Sequence, residues 1–499
     1  MAKIVIIGGG VAGLTAGIYA RLNGYDAVVC EAHSVAGGNL TGWERRGYTI
    51  DNCIHWLTGT NPNVKEYKDW QEVGALGEVE IIQPNTLYTC EYLGKRLSVK
   101  RDLDDMEREW IALSLDDKKE ITDLFRAVRF IQGLMGIAGQ NHDKKYNLRQ
   151  KIKGAPLLIK YFGLSNTQLA RRFKSSLITS TIQCFLGEDF SSLAFIIVLA
   201  TFCGDNGGLP RGGSIAMAER MVSRFLSLGG NLLLNCKVEK VNLENGKATG
   251  VTLANGDVIS ADYVVSTCEP KSFFGKILDV QMPKQLVRKY SNPNLKRFSS
   301  YQCAFSCEVD KLPFEGDFMF ELSPEEQSKL NTKHLILREF SHENDFAPQG
   351  KSIIQSLIFC TEKGAKEFIN LYSDKREYRQ KKMFLADLIC DIIIKKFPSL
   401  LGKIECIDVW TPATYKRFVG SEIGSWMSFT FPKNYLPQKV EPTVSGVENV
   451  ILATQWLQPP GGLPIALSLG KNAVKVILEK EKKLAKIELK LRRKNKAFA

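Results

Sequence analysis

The first 31 residues contain the pattern that most restricts what this chain can fold into. Lys3–Ile7 is a lysine followed by an unbroken β-branched run, which is typical of a strand buried on both faces of a parallel sheet. Gly8, Gly10 and Gly13 follow with GxGxxG spacing. In a dinucleotide-binding fold, the first glycine permits a tight turn, the second lets the backbone approach a pyrophosphate, and the third lets the next helix pack closely. We therefore predict a Rossmann-type unit with a helix over residues 11–23.

A second predicted strand, Asp26–Glu31, ends in a carboxylate. We expect Glu31 to accept hydrogen bonds from the ribose hydroxyls of a bound dinucleotide. The phosphates should lie at the N-terminus of the first helix, against the backbone of Val11 and Ala12. A glycine-rich turn in an unrelated α/β fold is the alternative, but strand, glycines, helix, strand and acid occur here in the expected order.

Length and composition indicate a globular protein. The chain has 499 residues, of which 44% are hydrophobic and 24% charged, enough for two or three domains. We expect a cytoplasmic protein, because the N-terminus does not resemble a secretory signal and no run of about 18 apolar residues occurs. Twelve scattered cysteines indicate reduced thiols, and five widely separated histidines argue against a metal site.

The net charge of +13 is concentrated in two stretches. Residues 471–499 contain eleven basic and three acidic residues, and residues 144–174 contain nine basic and no acidic residues. The second stretch is interleaved with apolar residues, which favours peripheral contact with an anionic membrane. Nucleic acid is not expected as a partner, because no recognition motif accompanies the charge. For the C-terminal stretch, a solvated helix face is an equally good interpretation.

A glycine pair, Gly37–Gly38, follows Glu31 after five residues. This combination resembles the N-terminal signature of the superfamily of FAD-containing amine oxidases and phytoene desaturases. There, a glycine pair lets the backbone and the flavin pyrophosphate come close. The resemblance implies FAD as the cofactor, with Ala32 and Asn39 also in contact with it. The superfamily usually has a basic residue where this chain has Asn39.

Two later segments match the places where that superfamily returns to its FAD domain. The first, Pro210–Thr267, contains a predicted helix, predicted strands and two Asn-Gly hairpin turns. The second has a buried strand at Glu448–Ala453, then Thr454 in place of the usual glycine, then a glycine-rich turn and an apolar helix. The N-terminus of that helix would stabilise negative charge on the reduced flavin. The resemblance implies cofactor contacts at Val238 (through its backbone, to adenine), Thr267, Gly461, Gly462, Leu463 and Ile465.

Further segments indicate the branch of the superfamily. Gly47–Asp51 followed by His55–Gly59, and Thr411–Phe418 followed by Gly424–Trp426, look like the branch of carotenoid desaturases, carotenoid isomerases and retinol saturase. Monoamine and polyamine oxidases form the other branch. The family pattern usually has glycine where this chain has Cys53.

The expected fold class is α/β, with a discontinuous Rossmann-type FAD-binding domain and an inserted mixed α+β substrate domain. We assign residues 1–100, 205–275 and 440–480 to the FAD-binding domain, 100–205 and 275–440 to the substrate domain, and 481–499 to a basic C-terminal tail.

Apolar periodicity predicts helices in the first inserted segment, over Asp104–Gly136, Leu169–Phe185 and Ser191–Cys203. The second inserted segment mixes strands with a helix near Tyr378–Phe397. Their apolar richness suits a hydrophobic tunnel, with ordinary core packing as the alternative.

The resemblance implies an FAD-dependent oxidoreductase that desaturates, saturates or isomerises an apolar polyene, isoprenoid or unsaturated lipid by hydride transfer at flavin N5. His55 is the candidate catalytic residue, because its pKa range suits proton transfer at neutral pH. A histidine with a structural hydrogen bond near the cofactor is the alternative. Tyr415 and Trp456 would add aromatic walls.

Two other functions stay open from sequence. The first is an FAD amine oxidase, whose marker would be paired aromatics and a lysine bonded through water to N5; the sequence contains no clear lysine motif of this kind. The second is a non-catalytic flavin-dependent or lipid-binding protein. The sequence identifies no electron partner.

Overall fold

The computed structural model describes residues 1–137, 146–187, 190–436, 438 and 440–496, and from residue 484 onward it describes the helical backbone alone. The start of the basic stretch at Lys144 and the basic side chains of the C-terminal tail therefore lie outside the described residues.

The strands of the described chain vary from two to ten residues in length. In chain order they are β1 (Lys3–Ile7), β2 (Asp26–Cys30), β3 (Gly42–Arg45), β4 (Tyr48–Asp51), β5 (Leu57–Thr58), β6 (Ile81–Ile82), β7 (Thr86–Tyr92), β8 (Lys95–Lys100), β9 (Gly207–Pro210), β10 (Asn231–Leu233), β11 (Val238–Glu244), β12 (Lys247–Leu253), β13 (Val258–Ser260), β14 (Tyr263–Ser266), β15 (Phe298–Cys307), β16 (Asp317–Glu321), β17 (His334–Glu339), β18 (Ser352–Thr361), β19 (Ile404–Trp410), β20 (Thr443–Val444) and β21 (Val447–Leu452).

The α-helices of the same residues fall between and after these strands. In chain order they are α1 (Val11–Leu22), α2 (Lys65–Glu72), α3 (Leu103–Leu113), α4 (Lys118–Met135), α5 (Leu148–Phe162), α6 (Asn166–Ala170), α7 (Ser176–Leu186), α8 (Ser192–Cys203), α9 (Gly213–Ser227), α10 (Pro270–Phe273), α11 (Lys284–Tyr290), α12 (Pro324–Leu330), α13 (Glu362–Leu371), α14 (Lys375–Lys396), α15 (Pro412–Val419) and α16 (Leu463–Lys496).

A six-stranded sheet confirms the predicted Rossmann-type fold. Its strand order is β10-β2-β1-β14-β21-β20, and every pairing is parallel except that of β20 with β21. One face packs against α1, α9 and α16, and the other against the small antiparallel sheet β11-β12-β13. Because both faces are covered, the central strands are runs of valine, isoleucine and leucine. Three separated parts of the chain supply this sheet, within residues 3–30, 231–266 and 443–452.

A seven-stranded sheet forms the second layer system, with the order β19-β15-β18-β17-β16-β7-β8. Its pairings are antiparallel except that of β16 with β7. Helices α3, α4, α7 and α8 cover one face, and α13 and α14 cover the other. Strands β7 and β8 hydrogen-bond into this sheet, so a boundary drawn from the sheets falls near residue 85. The predicted end of the first FAD-binding segment at residue 100 is too late.

The predicted helices of the first inserted segment are present, but the first two predictions each span two helices. The prediction Leu169–Phe185 covers the end of α6, which stops at Ala170, and most of α7, which begins at Ser176. Helix α3 ends at Leu113, and α4 begins at Lys118. Between them, the carboxylate of Asp117 accepts hydrogen bonds from the backbone N–H groups of Lys174 (2.8 Å) and Ser175 (2.9 Å). This long-range contact fixes the break, which apolar periodicity alone does not reveal. Within the described residues, no helix has the length and apolar character needed to cross a bilayer.

Candidate functional site

The carboxyl ends of β1 and β2 meet the N-terminus of α1 at one end of a large cavity. Gly8 has φ +100°, a conformation that favours glycine, and a Cβ there would collide with Thr267 Oγ1. A Cβ on Gly13 would collide with the carbonyl oxygen of Gly8, so glycine is what lets α1 approach β1. Gly10 is the N-cap of α1 and has no side chain to cap it. The first N–H groups of α1 are therefore available to an anion.

Glu31 lies directly after β2 and is buried, with 8% of its surface exposed. Its Oε2 accepts a hydrogen bond from Gly9 N (2.7 Å), and its Oε1 accepts one from His33 N (2.9 Å). Both oxygens have further lone pairs, and Glu31 lines the cavity. The carboxylate is therefore held by backbone and can still accept hydrogen bonds from ribose hydroxyls.

The loop at Gly37 and Gly38 crosses the N-terminus of α1. Gly37 N donates to Gly9 O (2.9 Å), and a Cβ on Gly38 would lie 3.1 Å from the Cα of Gly10. Gly37 has φ +127°, and a Cβ there would collide with Leu40 O. Only glycine fits these positions, and the close approach of the two loops leaves backbone rather than side chains facing the cavity.

The turn before α16, at Gly461 and Gly462, forms another wall of the cavity. Gly462 N donates to Gln455 Oε1 (2.8 Å), while Gln455 Nε2 donates to Trp426 O (3.3 Å). Gly461 and Gly462 both have positive φ. Their positions set the N-terminus of α16 at the cavity wall, where its dipole favours negative charge.

Three positions that depart from the family pattern all line the cavity: Asn39, Cys53 and Thr454. Asn39 Oδ1 and Thr454 Oγ1 are buried and have no hydrogen-bond partner among the described residues. Ser425 Oγ, also at the cavity, is likewise buried without a hydrogen-bond partner among these residues. Buried polar atoms in native proteins are normally satisfied, so these three atoms indicate a polar ligand. Burial raises the pKa of the Cys53 thiol to about 12, so that thiol is protonated at neutral pH.

The cavity continues from the dinucleotide end into an apolar chamber. Its volume is about 1580 Å³, larger than the roughly 300–1000 Å³ that typically holds one drug-sized ligand. The chamber lies between helices α4, α7 and α8 and the face of the seven-stranded sheet. Its lining residues include Trp56, Met135, Phe185, Leu186, Phe190, Ile197, Val198, Phe298, Met319, Ile336, Leu357, Phe359, Trp426 and Phe431. The space is sufficient for a dinucleotide and a second, apolar ligand.

A half-buried cluster of ionisable side chains lies beside the chamber. His55 Nδ1 is 3.3 Å from Asp317 Oδ2, and Arg338 Nε donates to Asp317 Oδ1 (3.2 Å). Arg338 Nη2 also donates to Ile54 O (2.8 Å). His55 and Asp317 both line the cavity. The cluster therefore holds one imidazole in a fixed position at the cavity wall.

The protonation of this cluster follows from its surroundings. Burial, followed by the charge of Arg338, lowers the pKa of His55, so its imidazole is neutral at neutral pH. Burial alone would raise the pKa of Asp317, but Arg338 and His55 outweigh it and lower that pKa. Because an ionised carboxylate only accepts hydrogen bonds, Nδ1 of neutral His55 carries the proton. Nε2 of His55 is then the free basic nitrogen.

Aromatic residues form other parts of the wall. Tyr415 Oη donates to Asn52 Oδ1 (2.8 Å) and accepts from Gln302 Nε2 (2.7 Å). Trp456 stacks on Tyr290, with ring centroids 5.6 Å apart. Both Tyr415 and Trp456 line the cavity, in keeping with their expected place.

The structure brings nearly all the sequence-predicted residues to this cavity. Gly8, Gly10, Val11, Ala12, Glu31, Ala32, Gly37, Gly38, Asn39, His55, Val238, Thr267, Gly461, Gly462, Leu463 and Ile465 line it. Gly13 is the exception, because it lies behind the turn and packs α1 against Gly8. Sequence reasoning missed Asp317 and Arg338, which lie in the inserted part of the chain, follow no motif and are placed only by the seven-stranded sheet.

These features fit FAD. The free N–H groups of α1, the Glu31 carboxylate, the close glycine loops and the unsatisfied polar atoms are what a flavin dinucleotide requires, and the volume accommodates it.

Comparison with known proteins agrees with this geometry. The family model described as flavin containing amine oxidoreductase matches residues 11–300. The chain is 24% identical over 444 residues to the chloroplastic prolycopene isomerase of Daucus carota, which covers 85% of this chain and 71% of that protein. It is 26% identical over 275 residues to the lycopene-forming phytoene desaturase of a Paracoccus strain, covering 52% of this chain and 54% of that protein.

A solved structure shares the fold. The structure of an oxidoreductase from Methanosarcina mazei has a TM-score of 0.59 and 16% sequence identity, and the superposition covers 95% of this chain and 99% of that one.

Proposed function

Because this chain belongs to the flavin containing amine oxidoreductase family and is an FAD-dependent oxidoreductase, we propose that it acts on the C–C and C=C bonds of an apolar polyene, isoprenoid or unsaturated lipid. The observation that carries the proposal is the cavity itself, which joins a dinucleotide site to an apolar chamber. The names of the isomerase and desaturase relatives support the same substrate class.

The two sheets have different roles, one in cofactor binding and the other in substrate binding. The six-stranded sheet with α1, α9 and α16 is the FAD-binding domain, and the seven-stranded sheet with its helices is the substrate domain inserted into it. This assignment keeps the predicted domains, with the first boundary moved to about residue 85. The cofactor contacts are assigned to the sequence-predicted residues that line the cavity.

Few acid or base groups are needed for such a reaction. When bound, FAD supplies a hydride acceptor or donor at N5 of its ring, and a conjugated carbon skeleton spreads the developing charge. The chamber walls orient the apolar chain and exclude water. His55 accepts or returns a proton at Nε2, while Asp317 fixes its tautomer. The N-terminus of α16 stabilises negative charge at the other side of the site.

The carboxylates of the cavity favour an apolar substrate over an amine. Burial of an ammonium group is costly unless an acid pairs with it. Asp317 already accepts a hydrogen bond from Arg338. Glu269 Oε1 accepts one from Tyr290 Oη (3.0 Å) and lies 3.5 Å from Arg297 Nη1. Burial further raises the pKa of Glu269, which disfavours its charged form. The amine oxidase alternative is therefore the weaker one.

A single-turnover experiment tests the proposal. FAD-loaded protein, with its flavin either oxidised or first reduced with dithionite, is incubated anaerobically with phytoene or prolycopene. The products are then separated and their masses are measured. Loss of two hydrogens shows desaturation, gain shows saturation, and unchanged mass with altered double-bond geometry shows isomerisation. If no such polyene is converted while dithionite or light still reduces the flavin, the substrate class is wrong.

A chamber-filling variant with a matched control sharpens this test. Ala194 of α8 lines the chamber, so Ala194→Trp should abolish conversion and leave FAD content unchanged. Ala254 lies in an exposed turn, and Ala254→Trp should convert substrate at the normal rate. Equal loss of substrate conversion in the Ala194→Trp and Ala254→Trp variants would mean that the chamber is not the substrate site.

A further inference from the structure

Helix α5 presents apolar side chains to solvent. Leu148 is 74% exposed, Ile152 65% and Ile159 71%. Their spacing along the helix places them on one side of it. Scattered single apolar residues on a surface need no explanation, but three on one short helix form a patch, which marks an interaction site.

The opposite side of α5 packs against neighbouring helices, and this contact defines which side is exposed. Gly154 lies so close to Phe130 of α4 that a Cβ would collide with the ring. Leu157 and Leu158 pack partly buried against the core formed by α4, α7 and α8. Asn147 and Gln150 close the N-terminus of the helix with a capping box. The orientation of the exposed side is therefore fixed.

Basic residues flank the exposed apolar side. The sequence of α5 contains Arg149, Lys151, Lys153 and Lys160 and no acidic residue. Lys160 pairs with Glu120 and Asp123 of α4. Arg149, Lys151 and Lys153, by contrast, form no ion pair with any described residue. Unpaired positive charge next to exposed apolar residues is complementary to an anionic lipid surface.

The end of α5 is tied to the segments that close the apolar chamber. Ser192 Oγ at the start of α8 donates to Tyr161 O (2.8 Å), and Asn434 N donates to Phe162 O (3.0 Å). Ser191 N donates to Phe431 O (2.7 Å), and Phe431 lines the chamber. Leu436, in the same loop as Phe431, is 71% exposed. The C-terminal end of α5 and Leu436 therefore lie beside segments that line the chamber.

We propose that α5 and Leu436 form a docking surface for an anionic lipid bilayer, through which the apolar substrate reaches the chamber. Apolar side chains enter the acyl boundary, while the basic residues contact the headgroups. The delivery of substrate rests on the proposed function; the docking itself does not. We name Leu148, Ile152, Ile159 and Leu436 the apolar patch, and Arg149, Lys151 and Lys153 the basic rim.

Sedimentation of the full-length, FAD-loaded protein with vesicles tests the docking without any turnover. Vesicles of phosphatidylcholine are compared with vesicles that also contain phosphatidylserine, at low and high salt. We expect binding to the anionic vesicles that weakens as salt rises. Replacing the basic rim by glutamine should weaken it by about a hundredfold. Replacing Leu148, Ile152 and Ile159 by serine should weaken it by at least about tenfold at any salt.

Matched variants on other surfaces control for loss of charge and apolar area. Lys240, Lys247 and Arg288 are exposed, and their replacement by glutamine removes the same charge. Val258, Met383 and Leu401 are 66%, 65% and 69% exposed, and their replacement by serine removes three exposed apolar side chains, as in the patch variant. Both control variants should bind vesicles nearly as the unchanged protein does.

Three results would overturn the proposal. The first is equal binding of the rim, patch and control variants. The second is binding that disappears only when the chain is truncated after residue 483, which would assign it to the C-terminal tail. The third is tight binding to RNA that depends on the basic rim, with no binding to vesicles. Failure of polyene conversion with intact vesicle binding would count against the proposed function alone.

Discussion

Glu31 shows how a single carboxylate is prepared for its ligand. Two backbone N–H groups, of Gly9 and His33, fix its orientation before any ligand arrives. Because one oxygen serves each N–H, both keep lone pairs for the two ribose hydroxyls of a dinucleotide. The sequence motif identifies Glu31, and the structure shows that two backbone N–H groups hold its carboxylate in place.

Replacing Glu31 by glutamine is therefore expected to weaken FAD binding without unfolding the sheet. The amide keeps one acceptor but loses the charge, which should cost about 1.5–3 kcal/mol, or roughly ten- to a hundredfold in Kd. FAD fluorescence titration measures the effect. Asp26→Asn, at the other end of β2, is the control and should bind FAD normally. Normal affinity in the Glu31 variant would show that this carboxylate does not contact the cofactor.

The pH dependence of turnover tests the role of His55. Its lowered pKa means that the imidazole becomes protonated only below the ordinary value near 6.5. The rate should therefore fall on the acid side only at a pH below that ordinary value. Asp317 raises the pKa of His55, so Asp317→Asn should move this acid limb to still lower pH and also reduce kcat.

His55→Gln provides the control for that profile. It should remove the acid limb while FAD content stays the same. An identical acid limb in the His55→Gln protein would show that another group is responsible, and that the histidine has only a structural role.

Residues that form contiguous motifs could be found from sequence, and others could not. The glycines, Glu31 and the turn at Gly461 are recognisable because backbone geometry demands them at fixed spacing. Asp317 and Arg338 carry no such signature, since a carboxylate and a guanidinium occur in any strand. Their meeting with His55 depends on a sheet whose strands come from distant parts of the chain.

At the scale of elements, periodicity and turn chemistry predicted most of what is observed. The buried strands β1, β14 and β21 are recognisable runs of apolar residues, and the Asn245-Gly246 turn joins β11 and β12 as expected. The predictions were wrong at domain and helix boundaries that long-range contacts determine. Strand β7 pairs with β16, more than two hundred residues later, and Asp117 divides α3 from α4.

The junction of β1 and α1 yields a stability prediction. A methyl group at position 13 would collide with Gly8 O, so Gly13→Ala should destabilise the protein by on the order of 3 kcal/mol and lower FAD content. Thermal unfolding measures the change. Gly163→Ala is the control, because its φ of −81° suits alanine and its nearest neighbour would be 3.5 Å away. Equal melting temperatures for the two variants would contradict the close packing.

At the scale of the whole molecule, two sheets face one cavity. The six-stranded sheet presents strand ends, helix N-termini and glycines, which suit a charged dinucleotide. The seven-stranded sheet presents apolar side chains, which suit a hydrocarbon chain. Between them lie the His55–Asp317 pair and the start of α16. This division places a redox cofactor beside a water-excluding chamber, which is what chemistry at carbon–carbon bonds requires.

The function of this protein depends on one FAD site assembled from three separated parts of the chain. Titration of the folded apoprotein with FAD, followed by flavin absorbance and fluorescence, tests this most directly. We expect saturation at one FAD per chain, with a red shift or vibronic structure that shows a ring removed from water. A folded protein that is colourless when purified and takes up no added FAD would contradict it.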